Sequence, residues 1–545
     1  MLSDRFYSLA SLGQHQKLFD KKLTYGTAGF RDDADALPLD SVMFRVGCIA
    51  GIRARVLAKA TGVMITASHN EEKDNGCKIV DPDGGMLAEC WEAAAEAAAN
   101  SVTTDELSAV LSSLLSSTSL NSAIVFIGYD TRKSSERLTR CVLRGIQAVG
   151  CVAESFGLVT TPILHHLVRH ANGFGSSVAL ASLQGYFDLL VESFKIVGGP
   201  VSATPRKVLV DCAGGVGSMS IQKLQPLLKG YVDLIPVNLP GEIELNGNCG
   251  AEFVQKGRKA PQLATGFETG VVASLDGDAD RLVYSYFDQT GTWKLLDGDK
   301  IGALFAFFIN EKLRLIGWEG VDFVAVQTAY ANGASTEFLR ARGVKVELAK
   351  TGVKYVEAVA HKHDIGMYFE ANGHGTVCFK HAILDRLKKC TVVENLTVAS
   401  AARSLLAFAN LLNQAVGDAV CDLLAVEAIL NHFGMSVENW EAFYTDLPSR
   451  QGKVIVPDRA AVKCSEDETQ VIAPEALASA IKEVCLNLPK SRAFVRPSGT
   501  ENAVRIYAEA ANQDLANSLA FEVAKRTVDI LGGSYGVKAS DYGLG

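Results

Sequence analysis

Short apolar runs recur along the chain, and each is followed by a small polar turn and then by the start of a helix. This pattern restricts the fold more than any other feature. Residues 123–128 form such a run, and the turn and helix start that follow occupy residues 129–135. Residues 208–217 repeat the order of strand, glycine turn and helix. A strand that passes through a turn into a helix is the building unit of a parallel α/β sheet. The glycine turn lacks the G-x-G-x-x-G spacing and so does not favour dinucleotide binding.

The chain is long enough for several domains. At roughly 150 residues per domain, its 545 residues predict three or four. Residues 198–205 are rich in glycine, proline and small residues, which is typical of a linker. A further α/β unit begins near residue 299, and a smaller piece with helices segregated against a short sheet begins near residue 438. We therefore predict domains at residues 1–197, 198–298, 299–437 and 438–545.

Hydrophobic patterning also predicts individual elements. Helices are expected over residues 41–60, 88–100 and 515–531, and long helices within residues 395–432. Strands are expected over residues 322–327, 453–457, 493–495 and 503–509. Thr160 and Thr161 can both cap the helix that Pro162 begins.

Composition and charge exclude several classes of protein. Apolar residues make up 48% of the chain and charged residues 21%, which is typical of a globular protein with ample core material. The net charge of −8 argues against a general nucleic-acid binder, but it is compatible with a local basic pocket for a phosphorylated small molecule.

Cysteine usage and hydropathy bear on the cellular compartment. The twelve cysteines contain no C-x-x-C pair and lie mostly singly in apolar runs, which is typical of buried thiols in a reducing compartment. The first residues lack the layout of a signal peptide, and no apolar run approaches the roughly 20 residues that span a bilayer. We therefore expect a cytoplasmic protein without a membrane partner.

Residues 64–78 combine an apolar run with a polar turn that carries Ser68 beside His69. A hydroxyl on such a turn is expected to be exposed and close to proton-transfer partners, as covalent catalysis requires. The alternative is an ordinary turn that closes a hairpin, since serine, asparagine, aspartate and glycine are common turn residues. The local pattern leaves both interpretations open.

Asp276, Asp278 and Asp280 alternate with small residues directly after an apolar strand. Three carboxylates this close repel one another unless a cation is present, and their oxygens suit Mg²⁺. An EF-hand is excluded because the acidic positions do not continue to its bidentate glutamate. The alternative is an acidic surface turn, which the cost of burying unpaired carboxylates after a strand disfavours.

Three further turns carry groups that could bind a phosphorylated sugar. Arg31 follows a flexible glycine turn, with a plain surface arginine as the alternative. Residues 496–500 supply a guanidinium, two hydroxyls and backbone N–H groups, and Arg505 adds a second guanidinium; an ordinary Pro-Ser-Gly turn is the alternative. Residues 370–375 place a carboxylate, an amide and an imidazole among glycines. Together with Ser68 and the aspartates, these turns predict complementary parts of one phosphoryl-transfer site.

Five segments, in order, resemble the α-D-phosphohexomutase superfamily. They are YGTAGFR from Tyr25, TASHNEEKDNGCKIV from Thr66, LDGDADR from Leu275, FEANGHG from Phe369 and RPSGTENAVRIYAEA from Arg496. The resemblance extends over essentially the whole chain and implies an α/β protein of four domains around a central cleft. Three of these would share a mixed α/β fold, and the fourth would be a C-terminal α+β phosphate-binding domain.

The resemblance also implies roles for individual residues. Ser68 would be the phosphoserine, and one of its phosphate oxygens would complete a single Mg²⁺ site made by Asp276, Asp278 and Asp280. Arg31, His69 and Lys78 would line the transfer site. Substrate would be bound by three more loops, which contain Thr351, Gly352 and Lys354; Glu370, Ala371, Asn372 and His374; and Arg496, Pro497, Ser498, Gly499, Thr500 and Arg505.

Within the superfamily, the loop from Glu370 to His374 is similar to that of the branch acting on N-acetylglucosamine phosphates. Small Ala371 beside Asn372 would leave room for an N-acetyl group. Tyr129 departs from the superfamily pattern, in which arginine is common, and this leaves the role of the turn that follows open.

The implied reaction is a two-step exchange. Phosphorylated Ser68 would give its phosphoryl group to N-acetylglucosamine 6-phosphate and recover one from the other end of the resulting 1,6-bisphosphate. Lys78 or His374 would transfer the proton of the sugar hydroxyl. Mg²⁺ would be the cofactor and a glucosamine-type 1,6-bisphosphate the intermediate and activator. The protein is expected to be a monomer that feeds UDP-N-acetylglucosamine synthesis.

Three alternatives are weighed against this reaction: a mutase for glucose or mannose phosphates, a non-catalytic homologue that binds sugar phosphates, and a phosphatase-like hydrolase with Asp276 as nucleophile. The presence of Ser68 with all three aspartates argues against a silent homologue, because a binding module needs no nucleophile. The hydrolase is disfavoured because such enzymes typically carry threonine at the position of Asp280.

Overall fold

The structure, a computed structural model, describes residues 2–17, 20–26, 29–34, 39–115, 123–175, 177–201, 204–263, 270–486, 488–498, 502–532 and 538–544. Gly499 and Thr500 of the predicted phosphate loop therefore lie outside the described residues. Helices and strands alternate along most of the described chain, as the α/β prediction requires.

The strands are short, and three of the inner ones are buried along their whole length. In chain order they are β1 (Phe30–Asp33), β2 (Thr61–Ile65), β3 (Asp74–Val80), β4 (Ile124–Tyr129), β5 (Val152–Leu158), β6 (Arg206–Asp211), β7 (Val232–Val237), β8 (Val271–Leu275), β9 (Leu282–Phe287), β10 (Trp293–Leu296), β11 (Phe323–Thr328), β12 (Lys345–Ala349), β13 (Ile365–Phe369), β14 (Gly375–Phe379), β15 (Ser449–Ile455), β16 (Lys463–Cys464), β17 (Val471–Ala473), β18 (Arg492–Pro497) and β19 (Ala503–Glu509).

The helices range from a single turn to five turns. In chain order they are α1 (Asp4–Ala10), α2 (Asp40–Leu57), α3 (Glu89–Asn100), α4 (Thr104–Leu115), α5 (Ser135–Ala148), α6 (Thr161–Ala171), α7 (Leu183–Gly198), α8 (Gly217–Leu227), α9 (Gly250–Gly257), α10 (Gly298–Ile316), α11 (Gly333–Ala341), α12 (Val353–Ala360), α13 (His381–Cys390), α14 (Leu396–Leu411), α15 (Ala419–Phe433), α16 (Val437–Glu441), α17 (Glu475–Leu486) and α18 (Gln513–Leu531).

The first sheet is mixed and has the order β1-β3-β2-β4-β5. β3 pairs antiparallel with β1 and β2, whereas β2, β4 and β5 run parallel. All five residues of β2 are buried because they are apolar or small, and α2 packs against this part of the sheet. Ile65 at the end of β2 lies opposite Tyr129 at the end of β4. The turns that follow these two strands are therefore neighbours.

The second sheet repeats the pairing pattern in the order β10-β9-β8-β6-β7. β9 pairs antiparallel with β10 and β8, whereas β8, β6 and β7 run parallel. The acidic residues 276–280 leave the carboxyl end of its central strand, β8. Ligands of open α/β sheets bind at this end of the strands.

The chain divides by its packing into two compact units. Unit 1 comprises Met1–Ile301, Glu311–Trp318 and Asn372–Val437, and it contains both five-stranded sheets. In this unit α14 and α15 pack against α7. The four domain boundaries predicted from the sequence are finer than this division and stay predictions.

Unit 2 comprises Gly302–Asn310, Glu319–Ala371 and Glu438–Gly545. Its strands β12, β11 and β13 are parallel, with β11 in the middle. Its C-terminal part contains an antiparallel sheet, β15-β19-β18, with α17 and α18 packed on one face around Val495, Ile506 and Leu519. This is the segregated α+β arrangement that the sequence predicts.

The ends of several predicted elements differ in the structure. The helix predicted over residues 41–60 ends at Leu57, because Ala58 has a φ of 52° and turns the chain out of the helix. The stretch 395–432 contains two helices, and Asp418 caps the second by accepting the N–H groups of Val420 and Cys421. Of the helices in the described residues, none is long and apolar enough to cross a membrane. The twelve cysteines are free thiols and most are buried, as predicted.

Candidate active site

Ser68 lies on the turn that joins β2 to β3, so it belongs to a hairpin and to the candidate site at once. Its φ of 51° is in the left-handed region, which is uncommon for residues other than glycine. Its N–H donates to Thr66 Oγ1 at 2.8 Å. The prediction of an exposed hydroxyl was wrong: Ser68 is only 3% exposed, because groups from other turns pack over it.

Two side chains from those turns hold the backbone at Ser68. Arg132 Nη2 donates to the carbonyl oxygens of Ser68 and Asn70 at 3.0 and 2.8 Å. Asn246 Nδ2 donates to the same two oxygens at 3.0 and 2.9 Å. Arg132 forms a buried ion pair with Asp130. Sequence reasoning missed both clamping residues, although the polar turn directly after β4 was a signal for Arg132.

The Ser68 hydroxyl lies against the acidic loop. Its Oγ donates to Asp278 Oδ2 at 3.0 Å. Arg31 Nη2 lies 3.4 Å from the same Oγ, and Arg31 Nη1 donates to Asn70 Oδ1 at 2.9 Å. A Cβ atom at Gly277 would lie 2.7 Å from the Ser68 carbonyl oxygen, so only glycine allows the two turns to approach this closely.

Asp278 has one carboxylate oxygen that is fully occupied by hydrogen bonds. Its Oδ2 accepts from Thr161 Oγ1 at 2.6 Å, from Ser68 Oγ at 3.0 Å and from Lys78 Nζ at 3.1 Å. The N–H of Thr161 also donates to the Asp278 carbonyl oxygen at 3.2 Å. Of the two threonines predicted to cap α6, Thr160 does so by accepting the N–H of Ile163. The Thr161 hydroxyl instead fixes the carboxylate, a role that sequence reasoning missed.

One oxygen of each aspartate is left for a cation. Asp276 Oδ2, Asp278 Oδ1 and Asp280 Oδ1 are buried and accept no hydrogen bond from the described residues. Candidate ligand atoms of the three residues lie within 4.8 Å of one another. Burial, together with repulsion from Asp280 and Asp278, raises the pKa of Asp276 well above its usual range. Such oxygens are costly to bury without a cation, and their number and hardness fit Mg²⁺.

Lys78 lies on β3 and pairs with the same acidic loop. Its Nζ is 3.1 Å from Asp278 Oδ2 and 3.3 Å from Asp280 Oδ2. Burial acts to lower the pKa of the Lys78 ammonium, but the two carboxylates outweigh it and the net shift is upward. Burial likewise acts to raise the pKa of Asp280, but the positive charge of Lys78 outweighs it and the net shift is well below the usual range. Lys78 is therefore a protonated cation.

His69 lies beside an ion pair at the edge of the acidic loop. Arg281 Nη1 donates to Glu252 Oε2 at 2.6 Å, and His69 Nε2 lies 3.9 Å from Glu252 Oε1. Burial, followed by the positive charge of Arg281, lowers the pKa of His69 to about 3. The imidazole is therefore neutral near pH 7 and can exchange hydrogen bonds without adding charge.

His374 packs against the acidic loop through its ring and its backbone. Its Nδ1 lies 2.9 Å from the carbonyl oxygen of Asp280, which can only accept. Nδ1 therefore carries the hydrogen, and Nε2 holds the lone pair of the neutral ring. The N–H of His374 donates to Asn372 Oδ1 at 2.9 Å, and the N–H of Leu282 donates to the Gly373 carbonyl oxygen at 3.0 Å.

Unit 2 carries most of the other residues that were predicted to bind substrate. Arg496 and Arg505 lie directly opposite each other on β18 and β19. Pro497 ends β18, and the N–H of Ser498 donates to the Ala503 carbonyl oxygen at 2.8 Å. The structure thus brings together the described part of the predicted phosphate loop and Arg505.

The loop around Thr351 also meets the arginine turn within unit 2. The N–H of Thr351 donates to Glu468 Oε2 at 3.1 Å, and that oxygen lies 3.9 Å from Arg496 Nε. Glu468 is a linking residue that sequence reasoning missed. Gly352, with a φ of 124°, opens α12, and Lys354 lies in the first turn of that helix. Glu370 and Ala371 follow β13 in unit 2, whereas Asn372 and His374 belong to unit 1.

Three family models match parts of the chain. The model described as Phosphoacetylglucosamine mutase AMG1, domain III, matches residues 297–435. The alpha/beta/alpha domain I of the phosphoglucomutase/phosphomannomutase family matches residues 49–106 and 94–182, and its C-terminal domain matches residues 453–526.

Whole-chain relatives agree with these models. The chain is similar to phosphoacetylglucosamine mutase of Mus musculus, with 42% identity over 518 residues that cover 94% of this chain and 95% of the relative. It is also similar to the Arabidopsis thaliana phosphoacetylglucosamine mutase, with 42% identity over 561 residues that cover 96% and 99%. The crystal structure of Aspergillus fumigatus N-acetylphosphoglucosamine mutase in complex with GlcNAc-6P and magnesium is 37% identical, with a TM-score of 0.90 and coverage of 97% and 98%.

These similarities confirm the superfamily and the mixed α/β fold that the motifs predicted. Each relative is matched over at least 95% of its own length, so the likeness concerns whole proteins and not one shared domain. The chain belongs to the phosphoacetylglucosamine mutase family of the α-D-phosphohexomutase superfamily.

Proposed function

We propose that this protein interconverts N-acetylglucosamine 6-phosphate and N-acetylglucosamine 1-phosphate. One observation carries the proposal: Ser68 Oγ donates at 3.0 Å to one oxygen of Asp278, whose other oxygen is part of the unsatisfied carboxylate cluster. A nucleophile and a divalent-metal site are thereby built side by side. The relatives at 42% identity carry the name phosphoacetylglucosamine mutase, which supports the same reaction here.

Asp276, Asp278 and Asp280 would hold Mg²⁺, the ion that accompanies GlcNAc-6P in the A. fumigatus structure. When bound, Mg²⁺ would neutralise negative charge on the phosphoryl group during transfer. Lys78 contributes a fixed positive charge beside two of the aspartates. Thr161 holds one oxygen of Asp278 and leaves the other available.

The phosphoryl group moves twice between Ser68 and the sugar. In the first step the O1 hydroxyl of the 6-phosphate attacks the phosphorus on Ser68, the bond from phosphorus to Oγ breaks, the hydroxyl proton passes to a base, and the freed Oγ takes up a proton. In the second step Ser68 Oγ gives up its proton and attacks the phosphorus on O6 of the 1,6-bisphosphate. The bond from phosphorus to O6 breaks, O6 takes up a proton, and the 1-phosphate is left. Arg31 lies 3.4 Å from Ser68 Oγ and offsets negative charge in both steps.

His374 suits proton transfer better than Lys78 does. Lys78 Nζ already lies 3.1 Å from Asp278 Oδ2 and 3.3 Å from Asp280 Oδ2, so we assign it the role of a cation beside the metal ligands. The Nδ1–H of His374 is committed to the Asp280 carbonyl oxygen. Nε2 is then the nitrogen that accepts the proton of the sugar hydroxyl and returns it in the reverse direction.

The remaining assignments complete the proposal. The non-reacting phosphate is held by the phosphate loop and its neighbouring strand, at Arg496, Pro497, Ser498, Gly499, Thr500 and Arg505. His69 lines the transfer site beside Ser68, and the sugar is bound by Thr351, Gly352, Lys354, Glu370, Ala371 and Asn372. A glucosamine-type 1,6-bisphosphate phosphorylates the unmodified enzyme. The protein acts as a cytoplasmic monomer with domains at residues 1–197, 198–298, 299–437 and 438–545.

The decisive experiment follows the phosphoryl group on Ser68. Intact-mass analysis should show a phosphorylated protein that loses one phosphoryl group when incubated with excess N-acetylglucosamine 6-phosphate. Ser68→Ala should lack this modification and turnover while still binding the sugar phosphate. Ser220→Ala removes an equally buried hydroxyl from α8 and should behave like the parent. Full mutase activity in Ser68→Ala would disprove the covalent scheme.

Substrate choice is tested separately from the covalent step. The rate on N-acetylglucosamine 6-phosphate should exceed the rate on glucose 6-phosphate, since Ala371 and Asn372 are proposed to accommodate the N-acetyl group. An equal or greater rate on glucose 6-phosphate would favour a glucose-phosphate mutase instead.

A further inference from the structure

Three basic side chains share one row across the C-terminal sheet of unit 2. Arg496 on β18 lies opposite Arg505 on β19, and Arg505 lies opposite Lys453 on β15. Residues directly opposite one another in an antiparallel sheet point to the same face. Like charges in such positions destabilise a sheet. Glu468 lies 3.9 Å from Arg496 Nε and Asp541 lines the cavity beside Lys453 and Arg505, so three cations share this face with two carboxylates and the surplus positive charge favours an anion. We call the three cations the basic row.

The other face of this sheet packs against the hydrophobic core. Val495, Val504 and Ile506 alternate with the basic residues along their strands and pack against α17 and α18. The basic row therefore points away from the core, as a binding surface must. Lys453 itself is exposed at this face.

Tyr330 orients one member of the basic row. Its ring packs edge-on against Phe494 and Tyr507, with centroid distances of 5.1 and 5.7 Å. These two residues lie opposite each other one step along the same face as the basic row. The Tyr330 hydroxyl accepts a hydrogen bond from Arg496 Nε at 3.0 Å. Because Nε is occupied, a ligand would have to be bound by the two terminal nitrogens of Arg496.

Two members of the basic row, Lys453 and Arg505, border a cavity of a size suited to a small molecule. The cavity has a volume of about 390 Å³, and its lining includes Tyr330, Gln451, Lys453, Arg505 and Asp541. Small-molecule sites commonly occupy roughly 300–1,000 Å³ and place a few charged groups around an open space. The sequence motifs cover Arg496 and Arg505, but they do not include Lys453 or Tyr330.

We propose that Lys453 is a third phosphate-binding cation, which contacts the non-reacting phosphate of the sugar together with Arg496 and Arg505, and that Tyr330 positions Arg496 for this contact. The inference rests on the proposed function for the identity of the ligand. An ammonium is a compact charge without preferred orientation, so it can hold a phosphate that arrives on either end of the sugar. The basic row would thus bind the phosphate group of N-acetylglucosamine 6-phosphate and that of the 1-phosphate.

The test measures binding and not turnover. In the Ser68→Ala background, calorimetry should give dissociation constants for N-acetylglucosamine 6-phosphate and for the 1-phosphate that both rise about tenfold on Lys453→Met, about 1.4 kcal/mol. Lys453→Arg should stay within about twofold of the parent, because it keeps the charge. Tyr330→Phe should weaken binding by less than Lys453→Met, since it removes the positioning hydroxyl and retains the cation.

The control is Lys482→Met, which removes an exposed lysine from α17 on the opposite face of the sheet. It should leave both dissociation constants unchanged. A change of less than twofold in Lys453→Met, or equal weakening by Lys482→Met, would overturn the assignment. A chain that binds sugar phosphates through Lys453 but shows no phosphorylated Ser68 would refute the proposed reaction and leave the basic row intact.

Discussion

Thr161→Val is the most direct perturbation of the metal site, because it removes one hydroxyl that holds a predicted ligand and replaces none of the ligands themselves. Thr161 is 3% exposed, and its Oγ1 donates to Asp278 Oδ2 at 2.6 Å. Valine fills nearly the same space, so the substitution leaves little void. The carboxylate oxygen would keep its bonds from Ser68 and Lys78 but lose the shortest of the three.

The size of the expected loss in Mg²⁺ affinity follows from the negative charge on the acceptor, the Asp278 carboxylate. A hydrogen bond to a charged group contributes about 1.5–3 kcal/mol. Residues that orient metal ligands in this way typically change metal affinity by about 10–100-fold. Since a tenfold change corresponds to about 1.4 kcal/mol, the two ranges agree. We expect Thr161→Val to raise the Mg²⁺ concentration for half-maximal activity by about 10–100-fold, with activity recovered at saturating Mg²⁺.

The adjacent threonine provides a matched control. Thr160→Val removes the hydroxyl that caps α6 and should lower stability by about 1 kcal/mol without changing Mg²⁺ affinity. Mg²⁺ binding by calorimetry and the Mg²⁺ dependence of mutase activity should both separate the two variants, while urea unfolding reports their stability. Equal Mg²⁺ affinity in Thr161→Val and the parent protein would refute the reasoning, as would an equal shift in Thr160→Val.

Two further predictions concern the Ser68 turn and acid stability. Asn246→Ala removes both amide hydrogen bonds to the Ser68 turn and should lower kcat by about 10–100-fold with little change in KM. Asn248→Ala, at an exposed residue whose φ is also in the left-handed region, should leave kcat unchanged. Equal kcat values in Asn246→Ala and the parent would show that these two hydrogen bonds do not position Ser68. Burial, and then the charge of His170, lowers the pKa of His166 to about 3. As the pH falls below 6.5, the unfolded chain therefore binds a proton at His166 that the folded chain does not bind. Stability from His166 is thus present above pH 6.5 and lost between pH 6.5 and 3, and His166→Gln should remove about 2 kcal/mol of the loss between pH 6.5 and 5 in urea unfolding. An unchanged slope in His166→Gln would contradict the assignment.

The sequence predicts those features whose physical cause is local. Asp276, Asp278 and Asp280 stand at fixed spacing after a buried strand, and mutual repulsion alone indicates a cation. The alternation of strands and helices likewise predicts the α/β fold, because hydrophobic period is a property of neighbouring residues. These predictions needed no knowledge of which strand pairs with which.

The missed residues act across long separations. Asn246 reaches a carbonyl group that is 178 positions away in the chain, and Thr161 reaches a carboxylate 117 positions away. Both are ordinary turn or helix-start residues in their own segments, so nothing local distinguishes them. The same limit explains the wrong expectation for the Ser68 hydroxyl. A polar turn is normally exposed, and only the packing of Gly277 against the Ser68 carbonyl oxygen shows that this one is covered.

Asn246 also makes the surroundings of the nucleophile dependent on a segment that is synthesised much later. Ser68 leaves the ribosome 178 residues before Asn246 and 210 residues before Asp278. A nascent chain that has folded its first sheet therefore presents a serine with one clamp missing and no acidic loop beside it. Its hydroxyl becomes a phosphoryl acceptor only when the second sheet has formed. Truncated chains that end before residue 246 should therefore transfer no phosphoryl group to sugar phosphates.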